Sequence, residues 1–132
     1  MEEIYDDFSS ADLIVAHNAR FDIGFMIAEY YRRERRFRYK EEFDTMRYFT
    51  PILKLERANH KGWKFPKLSE LCEYFEIYPY DITRKTVELF GDAAGRHDAR
   101  YDTVAMYLSF VEGTKKIAEL QEIASKHLQN DE

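Results

Sequence analysis

The apolar positions change rhythm several times along the chain, and each change marks an element. Leu13 to Ala16 is an unbroken apolar run without alternation, the pattern of a short strand covered on both faces in a parallel sheet. Ahead of it Ile4, Tyr5 and Phe8 recur at helical spacing, so residues 1–10 read as the last turns of a helix. Arg20 to Arg36 follows as a helix, with Phe21, Phe25, Ala28 and Tyr30 or Tyr31 as its apolar stripe. Glu42 to Met46 fits a second short strand, passing into a helix from Arg47 that Pro51 kinks or begins. Pro66 precedes an amphipathic helix with Leu68, Leu71, Cys72 and Phe75 on one face. Tyr78 to Gly95 has little periodicity and reads as a loop with one helical turn around Val87 to Phe90. Asp98 to Glu112 carries the strongest helical pattern, closed by Gly113, and Thr114 is placed to cap a last helix bearing Ile117, Leu120, Ala124 and Leu128. The class is α/β, helix-rich and with few strands.

Composition narrows the chemistry. A chain of 132 residues, 45% hydrophobic and 34% charged, without repeats or Pro/Gly-rich linkers, makes one globular unit at most. No run approaches the ~18 apolar residues of a membrane span, and the start MEEIYDD is acidic rather than a basic leader. No membrane partner is expected, and the location read from this is cytoplasmic. With Cys72 the one cysteine, an internal disulfide and a cysteine-built zinc site are both excluded. Any metal is therefore held by carboxylates, histidines and water, which favours hard ions. The net charge of −5 argues against nucleic-acid affinity through bulk electrostatics and leaves a local patch open.

Two polar clusters abut predicted helix starts. HNARFD, residues 17–22, stands at the carboxyl end of the first strand, where open parallel sheets collect their chemistry. Taken alone, Asp22 merely complements a helix dipole and Asn18 merely caps. HDARYD, residues 97–102, repeats the arrangement: His97 falls just before a helix and Asp102 in its second turn, on a face shared with Ala99, Ala105 and Met106. Two inward-tending acids at two helix starts are harder to explain as caps than one.

LIVAHNARFDIGFM and HDARYDTVAMYL, with FDTMRYF and KFPKLSELCEYFEI between them, resemble the second and third motifs and the connecting strand and helix of the DnaQ-like 3′–5′ exonucleases of the DEDDh type. That family includes the proofreading subunits of bacterial replicative polymerases. The resemblance spans about residues 5–112, so that residues 1–112 read as the C-terminal part of an exonuclease domain and 113–132 as a C-terminal helix. It implies an RNase H-like fold and removal of nucleotides from the 3′ end of single-stranded DNA or RNA, with a polymerase as a possible partner. The family's chemistry uses two Mg²⁺ or Mn²⁺ ions about 4 Å apart, held by four carboxylates. Carried over, Asp22 and Asp102 are metal ligands and His97 is the general base, a role suited to a side chain whose ordinary pKa is about 6.5. Asn18 and Phe21 fall where the family packs the terminal nucleotide. His17 reads as structural.

The family's first motif, an Asp-x-Glu on an apolar strand, has no counterpart in the twelve residues before Leu13. Glu2, Glu3, Asp6 and Asp7 read instead as a solvated helix end. The expectation is an N-terminally truncated fold lacking two of four metal carboxylates, inactive alone, with an open sheet edge available for self-association. The alternative is a catalytically inactive remnant that binds protein or nucleic acid. RRERRFRYK packs six basic residues into positions 32–40, and Arg32, Arg33, Arg35 and Arg36 either track a phosphate backbone or form a solvated helix end. Asp44 in FDTM can be read as a fifth site acid but is expected to be a turn or cap residue; Trp63 reads as a ring pinning a loop to the core, His60 and His127 as unpartnered surface groups, and Cys72 as a buried, inert thiol.

Overall fold

The computed structural model describes residues 8–91, 95 and 98–129, with the last two as backbone. Residues 8–10 are helical; the acids at 2, 3, 6 and 7, and His97, lie outside the described residues. Strand β1 (Ile14–Ala16) pairs in parallel with β2 (Glu42–Asp44), Ile14 opposite Glu42 and Ala16 opposite Asp44. Helix α1 (Ala19–Arg32) is the crossover between them, as parallel pairing requires. Then come α2 (Thr45–Leu53), α3 (Leu68–Tyr74), α4 (Pro79–Phe90), α5 (Ala99–Lys116) and α6 (Ala118–Gln129). The result is mixed α/β and helix-rich around a two-stranded sheet. No described helix is long and apolar enough to cross a membrane.

Two apolar clusters form. The larger joins Phe43 and Phe49 to Leu71, Phe75, Ile82, Val104 and Leu120, with Cys72 buried among them as expected. Burial raises the Cys72 thiol above its ordinary value, which keeps it protonated and inert. The smaller cluster holds Ile14, Ala19, Ile23, Tyr30 and Phe37 under α1.

Several boundaries depart from the sequence pattern for local reasons. Helix α1 stops at Arg32, not Arg36, because Glu34 turns left-handed (φ 57°) and the Arg35 N–H folds back to the Tyr30 carbonyl at 2.9 Å. That turn lets Phe37 stack on Tyr30 with ring centres 5.3 Å apart. The helix also faces the other way: Ala19, Ile23 and Tyr30 are buried, whereas Phe21, Phe25 and Tyr31 are 69%, 58% and 80% exposed. The segment read as a loop is helix α4, begun by Pro79 and the Asp81 carboxylate accepting from the Tyr78 N–H, and ended by Gly91 at φ 84°. Its exposed Tyr80, Leu89 and Phe90 blur the period that Ile82 and Thr86 follow inside.

Gly113 does not close its helix. It lies within α5, buried, where an added Cβ would stand 2.7 Å from Leu120 Cδ2 and 3.0 Å from Phe49 Cζ. The glycine lets α6 approach α5, and the break comes at Ile117 in extended conformation, so the last helix begins at Ala118 rather than at a Thr114 cap. Trp63 does not pin the core: it is 40% exposed, in a loop closed by an antiparallel bridge to Glu56. His60 and His127 both have partners, Glu56 and Glu41, and the second pair ties α6 to the residue before β2.

Candidate functional site

The turn after β1 is held from three sides. Asn18 is left-handed (φ 70°), a conformation asparagine tolerates better than most residues, and its side chain makes no capping bond. Its own N–H instead donates to Asp44 Oδ1 at 2.9 Å. The same oxygen accepts from the N–H groups of Met46 and Arg47, so Asp44 is the cap of α2, as its position at the end of β2 implies. Asp44 thereby sets the end of β1 against the start of α2.

His17 completes the brace. Its Nε2 donates to the Pro66 carbonyl at 2.8 Å, and its Nδ1 meets Thr45 Oγ1 at 2.9 Å. Thr45, fully buried, lies 3.2 Å from the Ala16 carbonyl. Burial holds the imidazole below its ordinary pKa, opposed by the Pro66 carbonyl and by the charges of Asp44 and Asp22. These contacts agree with the structural role read for His17.

Above this brace opens a cavity of about 660 Å³. Its wall includes the whole of β1, His17, Asp22, Ile23 and Met26 from α1, Phe37, Leu68, and Ala99, Asp102 and Met106 from α5. Two chain segments eighty residues apart therefore bring Asp22 and Asp102 to one space at the carboxyl end of the sheet. Each acid lies in the first turn of its helix, Asp102 one turn earlier than its sequence pattern implied. Desolvation on the cavity side raises the Asp22 carboxyl above its ordinary value; the charge of Asp44 adds to this and His17 opposes it. Asp44 Oδ2 is buried without a hydrogen-bond partner among the described residues, with Arg47 Nε 3.6 Å away.

The other sequence candidates are not gathered there. Asn18 and Phe21 are absent from the cavity wall, and Phe21 projects into solvent. Arg32 pairs with Glu29 at 2.6 Å, while Arg33 and Arg36 are exposed and Arg35 is half-buried on the segment beyond α1. Sequence reasoning raised Asp44 as a site acid and set it aside for a cap; the structure gives it the cap and, besides, a charge that acts on Asp22. The signal was its place at the end of β2, the parallel neighbour of the strand that leads to Asp22. No group of three or more histidine, cysteine or acidic side chains able to hold a metal ion occurs among the described residues. No protein-family model, curated protein or solved structure matches the chain.

Proposed function

We propose that the cavity is part of a phosphodiester-cleaving centre of the RNase H-like, 3′–5′ exonuclease kind, acting on the 3′ end of DNA or RNA. The observation that carries the reading is the convergence of Asp22 and Asp102 on one cavity at the carboxyl end of parallel strands. Supporting it is the raised pKa of Asp22, caused first by desolvation and then by the charge of Asp44, since perturbed acids in clefts cluster at functional sites.

The donors fit Mg²⁺ or Mn²⁺ in part. One or two carboxylates alongside substrate phosphate is a common way to bind Mg²⁺, so Asp22 and Asp102, which line the same cavity, supply the donor chemistry for at most a single ion. Two ions would need further carboxylates beyond the described residues. Bound there, a divalent ion would neutralise charge on the scissile phosphate and its leaving oxygen. In this reading Asp22 and Asp102 would hold the ion and His97 takes the proton of the attacking water, while the brace of His17, Thr45 and Asp44 keeps the strand end rigid.

Amide NMR spectra of the chain titrated with Mn²⁺ test the reading. Weak binding is expected, with paramagnetic broadening centred on Ala16, Ile23 and Met106 and lost in Asp102→Asn, while the chain alone shortens a labelled oligonucleotide negligibly. Broadening scattered over the acidic surface, or unchanged in the variant, would remove the cavity as a metal site. Steady 3′ shortening abolished by Asp102→Ala would instead show that the missing carboxylates are replaced from elsewhere, and that the chain alone is active.

A further inference from the structure

Helix α1 is apolar on two sides. One side holds Ile23 and Tyr30 in the smaller core, and the opposite one presents Phe21, Phe25 and Tyr31 to solvent. A contiguous exposed apolar patch rimmed by charged residues marks an interaction surface, so the outer face calls for an occupant. Its surroundings say what kind. Just past the helix, Arg33, Arg36 and Arg38 are exposed and have no ion pair among the described residues. Complementing the helix dipole explains Arg32, which sits in the last turn. It does not explain Arg36 or Arg38, because the helix has already ended. Between those two, Phe37 is buried against Phe8, Tyr30 and Tyr39, which fixes the segment while its arginine neighbours stay outside. In a chain of net charge −5 this is a local cationic patch continuous with an aromatic face.

We propose that the outer face of α1, from Phe21 through Phe25 and Tyr31 to Arg36 and Arg38, is a track for a single-stranded polynucleotide leading away from Asp22. Aromatic rings take successive bases with little regard to sequence, and arginines take the phosphates between them. The start of the track is fixed by Phe25, which is exposed on this face and also lines the cavity holding Asp22. From there the rest of α1 runs roughly 10 Å to its end at Arg32, and the segment carrying Arg36 and Arg38 extends the path to room for a few nucleotides. The track rests on the proposed function, and gives that centre a preference for single strands several nucleotides long over short products.

Fluorescence anisotropy with 5′-labelled dT3 and dT12 in Ca²⁺ tests it on the full chain. We expect dT12 to bind about tenfold tighter than dT3, an advantage that shrinks with added salt. The variant Tyr31→Ser/Arg36→Glu/Arg38→Glu should abolish the advantage and leave dT3 binding unchanged, whereas Asp102→Asn should weaken both. If the triple variant melts early, Arg36→Gln/Arg38→Gln serves in its place and should lower the salt slope by about two. A dT12 advantage that survives these changes overturns the track and leaves the cavity reading standing. Failure of either oligonucleotide to bind overturns both. A triple variant that turns a dimer into a monomer in sedimentation, with DNA affinity intact, makes this face a protein contact and overturns the track.

Discussion

The two halves of the molecule are finished to different degrees. In the helical half, α2 to α6 close around Phe49, Leu71, Val104 and Leu120, each at most 1% exposed. Around β1 and α1 the core is only five buried residues beside a two-stranded sheet; cavities of similar size occur in both halves, about 660 Å³ over β1 and about 720 Å³ between α3, α4 and α5, and both halves expose aromatic rings. With Ile14 N–H donating to Glu41, alternation along a parallel ladder turns Val15 toward the other edge, and no further strand lies there among the described residues. Stability resides in the first half; both site acids open into the second half's cavity. Substitutions that distinguish packing from function should therefore have opposite consequences on the two sides.

The largest expected effect lies in the finished half. Leu120→Ala removes a fully buried side chain between α5, α6 and Phe49, and should lower unfolding free energy by about 2–5 kcal/mol. In the open half, Ile23→Ala should fall at or below the lower end of that range, since its cluster is smaller and borders a cavity. Urea unfolding of both variants measures the difference. Equal losses would mean that the two clusters unfold as one unit of uniform quality.

Legibility in the sequence follows the same divide. Where one apolar stripe meets one core, as at Leu68, Leu71 and Cys72, the period identified element and face together. The first strand was legible as a short apolar run and the second as a short strand starting at Glu42, though it ends at Asp44 rather than Met46, and the carboxyl end of β1 as the place where polar groups converge. The period failed where apolar side chains do more than fill a core. In α1 Phe21, Phe25 and Ala28 keep helical spacing on the outward face, while Ala19, Ile23, Met26 and Tyr30 keep the same spacing on the inward one, so the period alone could not choose between the faces. In α4 exposed Tyr80 and Phe90 hid a helix whose Pro79 and Gly91 were visible terminators. Gly113 was legible as a glycine but not as a contact, because whether glycine ends a helix or admits a neighbour depends on Leu120 and Phe49, which only tertiary structure brings to it. Of the site, the sequence located Asp22 and Asp102 individually. Their shared cavity, and the charge of Asp44 behind it, depend on α5 crossing the sheet.

A smaller effect separates the halves with one substitution made twice. Gly24 in α1 and Gly113 in α5 both lie inside helices, so alanine offers each the same gain in helix propensity, about 1 kcal/mol. Nothing lies within 4 Å of a Cβ added at Gly24, whereas at Gly113 it would meet Leu120 and Phe49 at 3.0 Å or less. Gly24→Ala should raise the melting temperature and Gly113→Ala lower it, their stabilities differing by the overpacking penalty of about 1–3 kcal/mol. If Gly113→Ala also stabilises, α6 is not held as closely to α5 as these contacts require.

The smallest effect is a gain in stability at the site. Asp22 has its carboxyl raised above the usual 3.8, first by desolvation and then by the charge of Asp44. A group whose folded pKa is raised favours folding while protonated; that contribution is complete below the unfolded pKa and is lost as pH rises through the folded one. At neutral pH the ionised Asp22 is therefore a burden on the fold, lightened by its partial exposure to solvent. Asp22→Asn keeps the shape and removes the charge, so it should melt at a higher temperature than the parent chain near pH 7. The advantage should fade as pH falls through the raised pKa and vanish by about pH 3, where the parent carboxyl is protonated as well. Thermal melts of both proteins across that range measure it. Added Mn²⁺ should stabilise the parent chain and not the variant, narrowing the gap from the other side. An Asp22→Asn protein less stable than its parent at pH 7 would mean that the carboxylate is held by favourable contacts, and that this corner of the molecule belongs with the finished half.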